Sequence, residues 1–87
     1  MRQVTTKSGF CLEIEEERLN NMELLDALAA LDEGDITALS TALRLLLTRE
    51  QKKALYDHLR TPGGTVPIEA VTETLQEIFE SSQPAKN

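Results

Sequence analysis

A Pro-Gly-Gly break set between two helical patterns constrains this chain more than any other feature. From Thr48 to Phe79 the sequence reads as a helix, the loop Thr61-Pro62-Gly63-Gly64-Thr65 and a second helix entered through Pro67. Proline cannot continue a helix, yet it is tolerated in the first turn, where the N–H it lacks has no helical acceptor. Thr48 followed three residues later by Gln51 is a capping-box pattern. Before the loop, Ala54, Leu55 and Leu59 are expected to face inward, with Tyr56 burying its ring and keeping its hydroxyl near water. After the loop, Ile68, Val71, Leu75, Ile78 and Phe79 share one face. Everything else in the chain has to pack on this helical pair.

Two more helices precede it. Asn20 with Glu23 three residues on marks an N-terminus, and Leu24, Leu28 and Leu31 recur at i, i+4 and i+7 with Leu25 beside them. Gly34 ends that helix and Asp35 is placed to cap the next, in which Ile36, Leu39, Leu43 and Leu46 form a stripe widened by Ala42 and Leu47. This second helix should be the most buried element. Upstream, Val4, Thr5 and Thr6 are β-formers, Lys7-Ser8-Gly9 supplies turn chemistry, and Phe10, Leu12 and Ile14 alternate with Cys11 and Glu13. The expected fold is mainly α within the α+β class: an N-terminal β-hairpin (about 3–14) packed on a four-helix body (about 20–32, 36–47, 49–60 and 67–80). Residues 1–80 form a single domain, with the hairpin in 1–14 and the helical body in 15–80, and 81–87 reads as a flexible polar tail. A two-stranded hairpin is barely stable alone in water, so this one must lean on the helices, and its outer strand leaves an edge open to pairing.

Composition narrows the function classes. Nine Lys and Arg against fifteen Asp and Glu give a net charge of −6, the wrong sign for a protein that binds nucleic acid by neutralising phosphates. The single cysteine, Cys11, excludes an internal disulfide and suits a reducing compartment. The opening MRQVTTKSGF lacks the apolar run of a secretory signal, and no apolar window approaches the roughly 20 residues that span a bilayer. A cytoplasmic protein with no membrane partner is expected.

No catalytic, metal or cofactor constellation emerges, and the chain reads as a non-enzyme without cofactors. The lone His58 sits in a helix C-terminal turn, where a favourable contact with the helix dipole is its commonest role. Cys11 in an alternating strand reads as a small buried or edge side chain. Asp32, Glu33 and Asp35 cluster around Gly34, but Ile36 and Ala38 occupy positions where a calcium loop needs oxygen ligands. The Pro-Gly-Gly loop fails the same test. With Gly63 at the glycine position the ligands would be His58, Arg60 and Pro62, and with Gly64 there they would be Leu59, Thr61 and Gly63.

The third helix carries Arg49, Lys52, Lys53 and Arg60 against Glu50 and Asp57, whereas the last lines up Glu69, Glu73, Glu77 and Glu80 with no positive residue. The two sets either compensate one another or present a surface to a partner protein. They are the candidate partner-binding residues. Self-association into a homo-oligomer is also compatible with the sequence.

Beyond these patterns, the hairpin ending in KSGF, the segment LLDALAALDEGD, and EQKKALYDHLR followed by VPIEAV and EIFE resemble the phage tail assembly chaperones. These are small proteins encoded in the tail-morphogenesis region of tailed phages and prophages. The similarity covers about Gln3 to Glu80 and rests on packing and capping patterns without chemistry. It implies a transient binder of the tape-measure protein or tail-tube subunits, made in the bacterial cytoplasm and absent from the finished particle. It carries no residue-level contact assignment. The alternatives are a structural virion component, such as a minor tail or head–tail connector protein, and a regulatory module that binds another protein.

Overall fold

In a computed structural model, residues 2–81 are described, Ser81 by its backbone only. The chain forms strand β1 (Arg2–Thr5), strand β2 (Cys11–Ile14), a short helix α1 (Glu16–Leu19), and helices α2 (Met22–Asp32), α3 (Ala38–Leu46), α4 (Arg49–Leu59) and α5 (Ile68–Ser81). This is the expected α+β architecture, with the acidic run after the hairpin adding the one-turn α1. No helix among the described residues is long and apolar enough to cross a membrane. The tail expected over 81–87 lies outside the described residues, apart from Ser81, which closes α5.

Local chemistry sets the boundaries. Thr48 and Gln51 form the reciprocal capping box, each side chain 3.0 Å from the other's backbone nitrogen. The cap of α2 is Asn21, one residue later than expected, with its side chain accepting from the Glu23 N–H. Asn20 instead closes α1. At the other end of α2, the Gly34 N–H donates to Leu31 and the Asp35 N–H reaches back to Ala30, which is the paired bonding of a Schellman stop. The Asp35 carboxylate accepts from both the backbone and the hydroxyl of Thr37, so it organises a turn before α3 and does not cap a helix starting at Ile36. Helix α3 therefore begins at Ala38 with Thr37 as its cap residue. Pro67 lies just before α5, its carbonyl accepting the first helical bond from Val71.

The core gathers side chains from every major element. Helix α3 contributes Ala38, Leu39, Ala42, Leu43 and Leu46, an apolar stripe set against exposed Ser40 and Arg44, and packs at the centre. Around it are Leu24 and Ala27 of α2, Leu55 of α4, and Val71, Leu75 and Ile78 of α5. Thr74 is buried among them with its hydroxyl donating to the Ala70 carbonyl, 2.8 Å away. Three residues expected inside lie outside. Ala54 is exposed, Ile36 is 52% exposed and Ile68 is 59% exposed. Ile36 stands in the turn before α3 and Ile68 opens α5, both at element ends that no neighbouring helix covers.

The hairpin adds Val4, Leu12 and Ile14 to the core, with Phe10 half-buried against it. Val4 pairs with Leu12 and Thr5 with Cys11, leaving Cys11 exposed on the outer face. The loop Thr6-Lys7-Ser8-Gly9-Phe10 is closed by bonds from Thr6 N–H to Phe10 O (2.9 Å) and from Gly9 N–H to Thr6 O (3.0 Å). Thr61-Pro62-Gly63-Gly64-Thr65 repeats the same scheme, with Thr61 N–H to Thr65 O at 2.8 Å and Gly64 N–H to Thr61 O at 2.9 Å. In each loop the threonine hydroxyl also accepts from the backbone four residues on. The glycines occupy equivalent left-handed positions, with φ of 92° at Gly9 and 95° at Gly64, where a Cβ would strain the backbone. The chain thus uses one loop design twice, once to turn a strand and once to turn a helix.

Helix α4 holds the hairpin. Gln51, Leu55 and His58 follow one another at i, i+4 and i+7, so they share one side of the helix. The Gln51 amide donates to the Glu13 carbonyl on the outer edge of β2. Leu55 is fully buried. His58 Nε2 is 3.0 Å from the Ser8 carbonyl, and because a carbonyl only accepts, that nitrogen carries the proton. The His58 ring also packs against Phe10, with centroids 5.4 Å apart. The histidine expected to serve the helix dipole is thus a clasp on the hairpin loop. His58→Ala should lower the unfolding free energy by about 0.5–1.5 kcal/mol, the usual worth of a hydrogen bond, and Gln51→Ala by about 1–3 kcal/mol, because it loses its capping-box bond to Thr48 as well as its bond to Glu13. Leu55→Ala should lose about 2–5 kcal/mol, and Glu50→Gln on the solvent side should stay within about 0.5 kcal/mol. Urea denaturation of the four variants gives this ranking, and Gln51 and His58 variants as stable as Glu50→Gln would remove the clasp.

Candidate functional site

The charged residues singled out from the sequence separate into distinct groups. Lys53 and Arg60 flank Asp57 on α4, their nitrogens 3.4 Å and 3.2 Å from its two carboxylate oxygens. Arg60 also donates to the Gly64 carbonyl at 2.9 Å, tying the end of α4 to the loop that follows. Arg49 and Lys52 lie at the opposite end of α4, where they join Arg18 and Arg44 around a shallow depression beside Thr48. Lys52 extends over the Tyr56 ring, 6.0 Å from its centroid. The sequence groups Arg49, Lys52, Lys53 and Arg60 on one helix, whereas α4 ends at Leu59 and the fold recruits Arg49 and Lys52 to a cluster with Arg18 of α1 and Arg44 of α3.

The glutamates of α5 divide as well. Glu77 is half-buried beside the hairpin and accepts from the Lys7 N–H at 3.4 Å. Glu69, Glu73 and Glu80 are exposed. No ion pair among the described residues joins an α4 cation to an α5 glutamate: the pairs are Arg2–Glu16, Arg18–Glu15 and the two at Asp57. Charge compensation between the two helices, one of the two readings left open by the sequence, is thus not made by direct contacts. The α5 helix itself contains no basic residue, and at its C-terminal half Lys7 of the hairpin loop shares a depression with Glu77 and Glu80.

Apolar surface is the feature that sequence reading missed. A groove of about 390 Å³ runs between α2 and α5, floored by Leu28, Leu31 and Phe79 and flanked by Leu25 and Ile36. Leu25 is 47% exposed on one flank and Ile36 is 52% exposed at the end. Thr72 and Gln76 line the α5 side, and Asp32 and Glu80 stand at the rim. A second groove of about 470 Å³ lies on the other side of Ile36, lined by Leu39, Leu43, Tyr56, Val66, Ile68 and Val71. The exposed Ile36 borders both. Leu25 beside the α2 stripe was the legible hint, since four leucines in eight residues exceed what one buried helix face needs.

Among the described residues no group of three or more His, Cys, Asp or Glu side chains is arranged to hold a metal ion. Comparison with protein-family models, with curated proteins and with solved structures finds no match.

The one titration shift in this region belongs to Asp57. Its hydrogen bonds from Arg60 and Lys53, with the Lys53 charge adding to them, hold its carboxyl below the usual aspartate range. A carboxyl depressed in the folded state stabilises the fold above its unfolded pKa, and the benefit fades as pH falls through the folded value. Asp57→Asn should therefore lower the melting temperature slightly at neutral pH, and the difference from the parent should vanish in acid once Asp57 itself is protonated. An equal deficit at both extremes of a thermal-melt series in pH would show that the substitution acts through packing and not through charge.

Proposed function

We propose that this protein is a non-enzymatic tail assembly chaperone of a tailed phage or prophage, acting in the bacterial cytoplasm. It binds the tape-measure protein or tail-tube subunits and keeps them from premature association. The observation that carries a binding role is the exposed apolar surface centred on Leu25, Ile36 and Ile68, which flanks two open grooves. Scattered surface leucines need no explanation, but apolar residues that share grooves are what a protein partner would cover. The tail-morphogenesis assignment itself draws on the resemblance in KSGF, LLDALAALDEGD, EQKKALYDHLR, VPIEAV and EIFE.

A body of this size suits transient holding. Its small core and acidic surface, with a net charge of −6, keep it soluble while its grooves are engaged, and disfavour contact with nucleic acid. The alternative of a structural virion component differs in one respect that can be measured, namely whether the protein stays in the particle. A protein-binding regulatory module is the remaining alternative, with a partner outside the tail.

Co-expression with the tape-measure protein and, separately, with the tail-tube protein of the same phage is the direct test. The expected result is a gain in soluble partner and co-purification of a complex, together with absence of this chain from purified virions by mass spectrometry. Its presence at stoichiometric level in virions would favour the structural reading. Failure to solubilise or co-purify with either partner would remove the chaperone assignment.

A further inference from the structure

We infer that the groove between α2 and α5 is a docking site for a basic amphipathic helix of a partner protein. The inference rests on the protein-binding reading above and adds which surface binds and what chemistry it recognises. Two observations combine. The groove has an apolar floor in Leu28, Leu31 and Phe79, with Leu25 and Ile36 left accessible beside it. Both helices that wall it lack any Lys or Arg: α2 reads MELLDALAALD and α5 reads IEAVTETLQEIFES.

Helical spacing shows where those acids stand. On α5 the groove side is Thr72, Gln76 and Phe79, at i, i+4 and i+7. At about 100° per residue, Glu69, Glu73 and Glu80 fall next to Gln76 on the solvent side of that line, while Val71, Leu75 and Ile78 turn into the core. On α2 the acid at the groove rim is Asp32, whereas Glu23 and Asp26 lie on the other side of the helix, toward α3. None of the cations in the described chain lines this groove. Like-charged glutamates at i, i+4 weaken a helix slightly, so the α5 stripe adds nothing to helix stability.

An apolar trough with the α5 glutamates along one margin and Asp32 on the other is complementary to a helix that presents Leu, Ile or Val at i, i+3, i+4 and i+7 flanked by Lys or Arg. An acidic or neutral amphipathic helix would bury the same apolar area but meet repulsion or no attraction at the rim. A second copy of this chain fits poorly. Its exposed large apolar residues are Met22 and Leu25 on α2, Ile36 in the turn before α3 and Ile68 at the start of α5, and neither α2 nor α5 has a basic residue to meet this acidic margin. The groove beyond Ile36 differs in kind, since its charged member is Arg60.

The test uses the full chain, isotopically labelled, and two designed helical peptides of about four turns with identical apolar anchors. One carries Lys at the flanking positions and the other Glu. The Lys peptide should bind saturably, shift amides of Leu25, Leu28, Ile36, Gln76 and Phe79, and weaken as salt is raised. The Glu peptide should bind at least about tenfold more weakly. Equal affinity for the two peptides, binding by neither, or shifts centred on Tyr56, Ile68 and the second groove would each overturn the assignment. So would a dimer of the free protein that Leu25→Lys converts to monomer, because the occupant would then be a second copy. Leu25→Lys and Ile36→Lys replace exposed side chains, so circular dichroism should match the parent while Lys-peptide affinity falls about tenfold or more. The tail partners provide the separating arm. If they co-purify with the parent and equally with both groove variants, the groove assignment fails while the chaperone reading stands. If they never co-purify, the chaperone reading fails and the peptide titration still decides the groove.

Discussion

A two-stranded sheet cannot stand alone in water, and the way α4 supports this one shapes the rest of the molecule. Two strands of four residues bury only Val4, Leu12 and Ile14, too little to offset the entropy of ordering them. Gln51 and His58 hold the two ends of the second strand and its loop, with the buried Leu55 between them on the same side of α4. The hydrogen bond from Gln51 also covers an outward-facing carbonyl of β2, which would otherwise be open to pairing. In β1, Gln3 and Thr5 occupy the non-bonded register positions, so their backbone groups point away from β2.

With the hairpin occupying one side of α4, α3 becomes the centre of the helical body and its other neighbours must cover it from α2 and α5. Those two helices converge on α3 through Leu24, Ala27, Leu75 and Ile78 but leave a trough between their outer faces. The uneven distribution of charge follows. Cations collect on α4 and at the α1–α3–α4 junction, whereas α2 and α5 carry acids alone. An apolar trough with one sign of charge at its margins is a surface suited to selecting a partner.

Local signals carried most of the fold into view from sequence. Thr48 with Gln51, the glycine stop at Gly34, the Pro-Gly-Gly break and the alternation of Leu12 and Ile14 each act within a few residues, so their structural consequence does not wait on tertiary contacts. The misplacements have a common physical origin. Periodicity tells which residues share a helix face but not how far the neighbouring element extends to cover it, so Ile36 and Ile68 were expected inside and lie exposed. Asn20 and Asn21 are chemically equivalent caps, and the short α1 consumed the first. Leu25 hints at an uncovered apolar side of α2, but the sequence does not show which element stands opposite it, because the other wall lies far along the chain in α5. Likewise, His58 as a hairpin clasp depends on Ser8, fifty positions away.

Native-state amide exchange tests most directly whether the hairpin is an integral part of the body. In the observed register the amides of Val4, Leu12 and Ile14 point inward to the partner strand, while those of Gln3, Thr5, Cys11 and Glu13 point outward. A clamped hairpin predicts that Val4 and Leu12 exchange only through the same global opening as Leu43 and Leu55 of the helical core. Exchange of Val4 and Leu12 through a separate opening, orders of magnitude more frequent than that of Leu55, would contradict it.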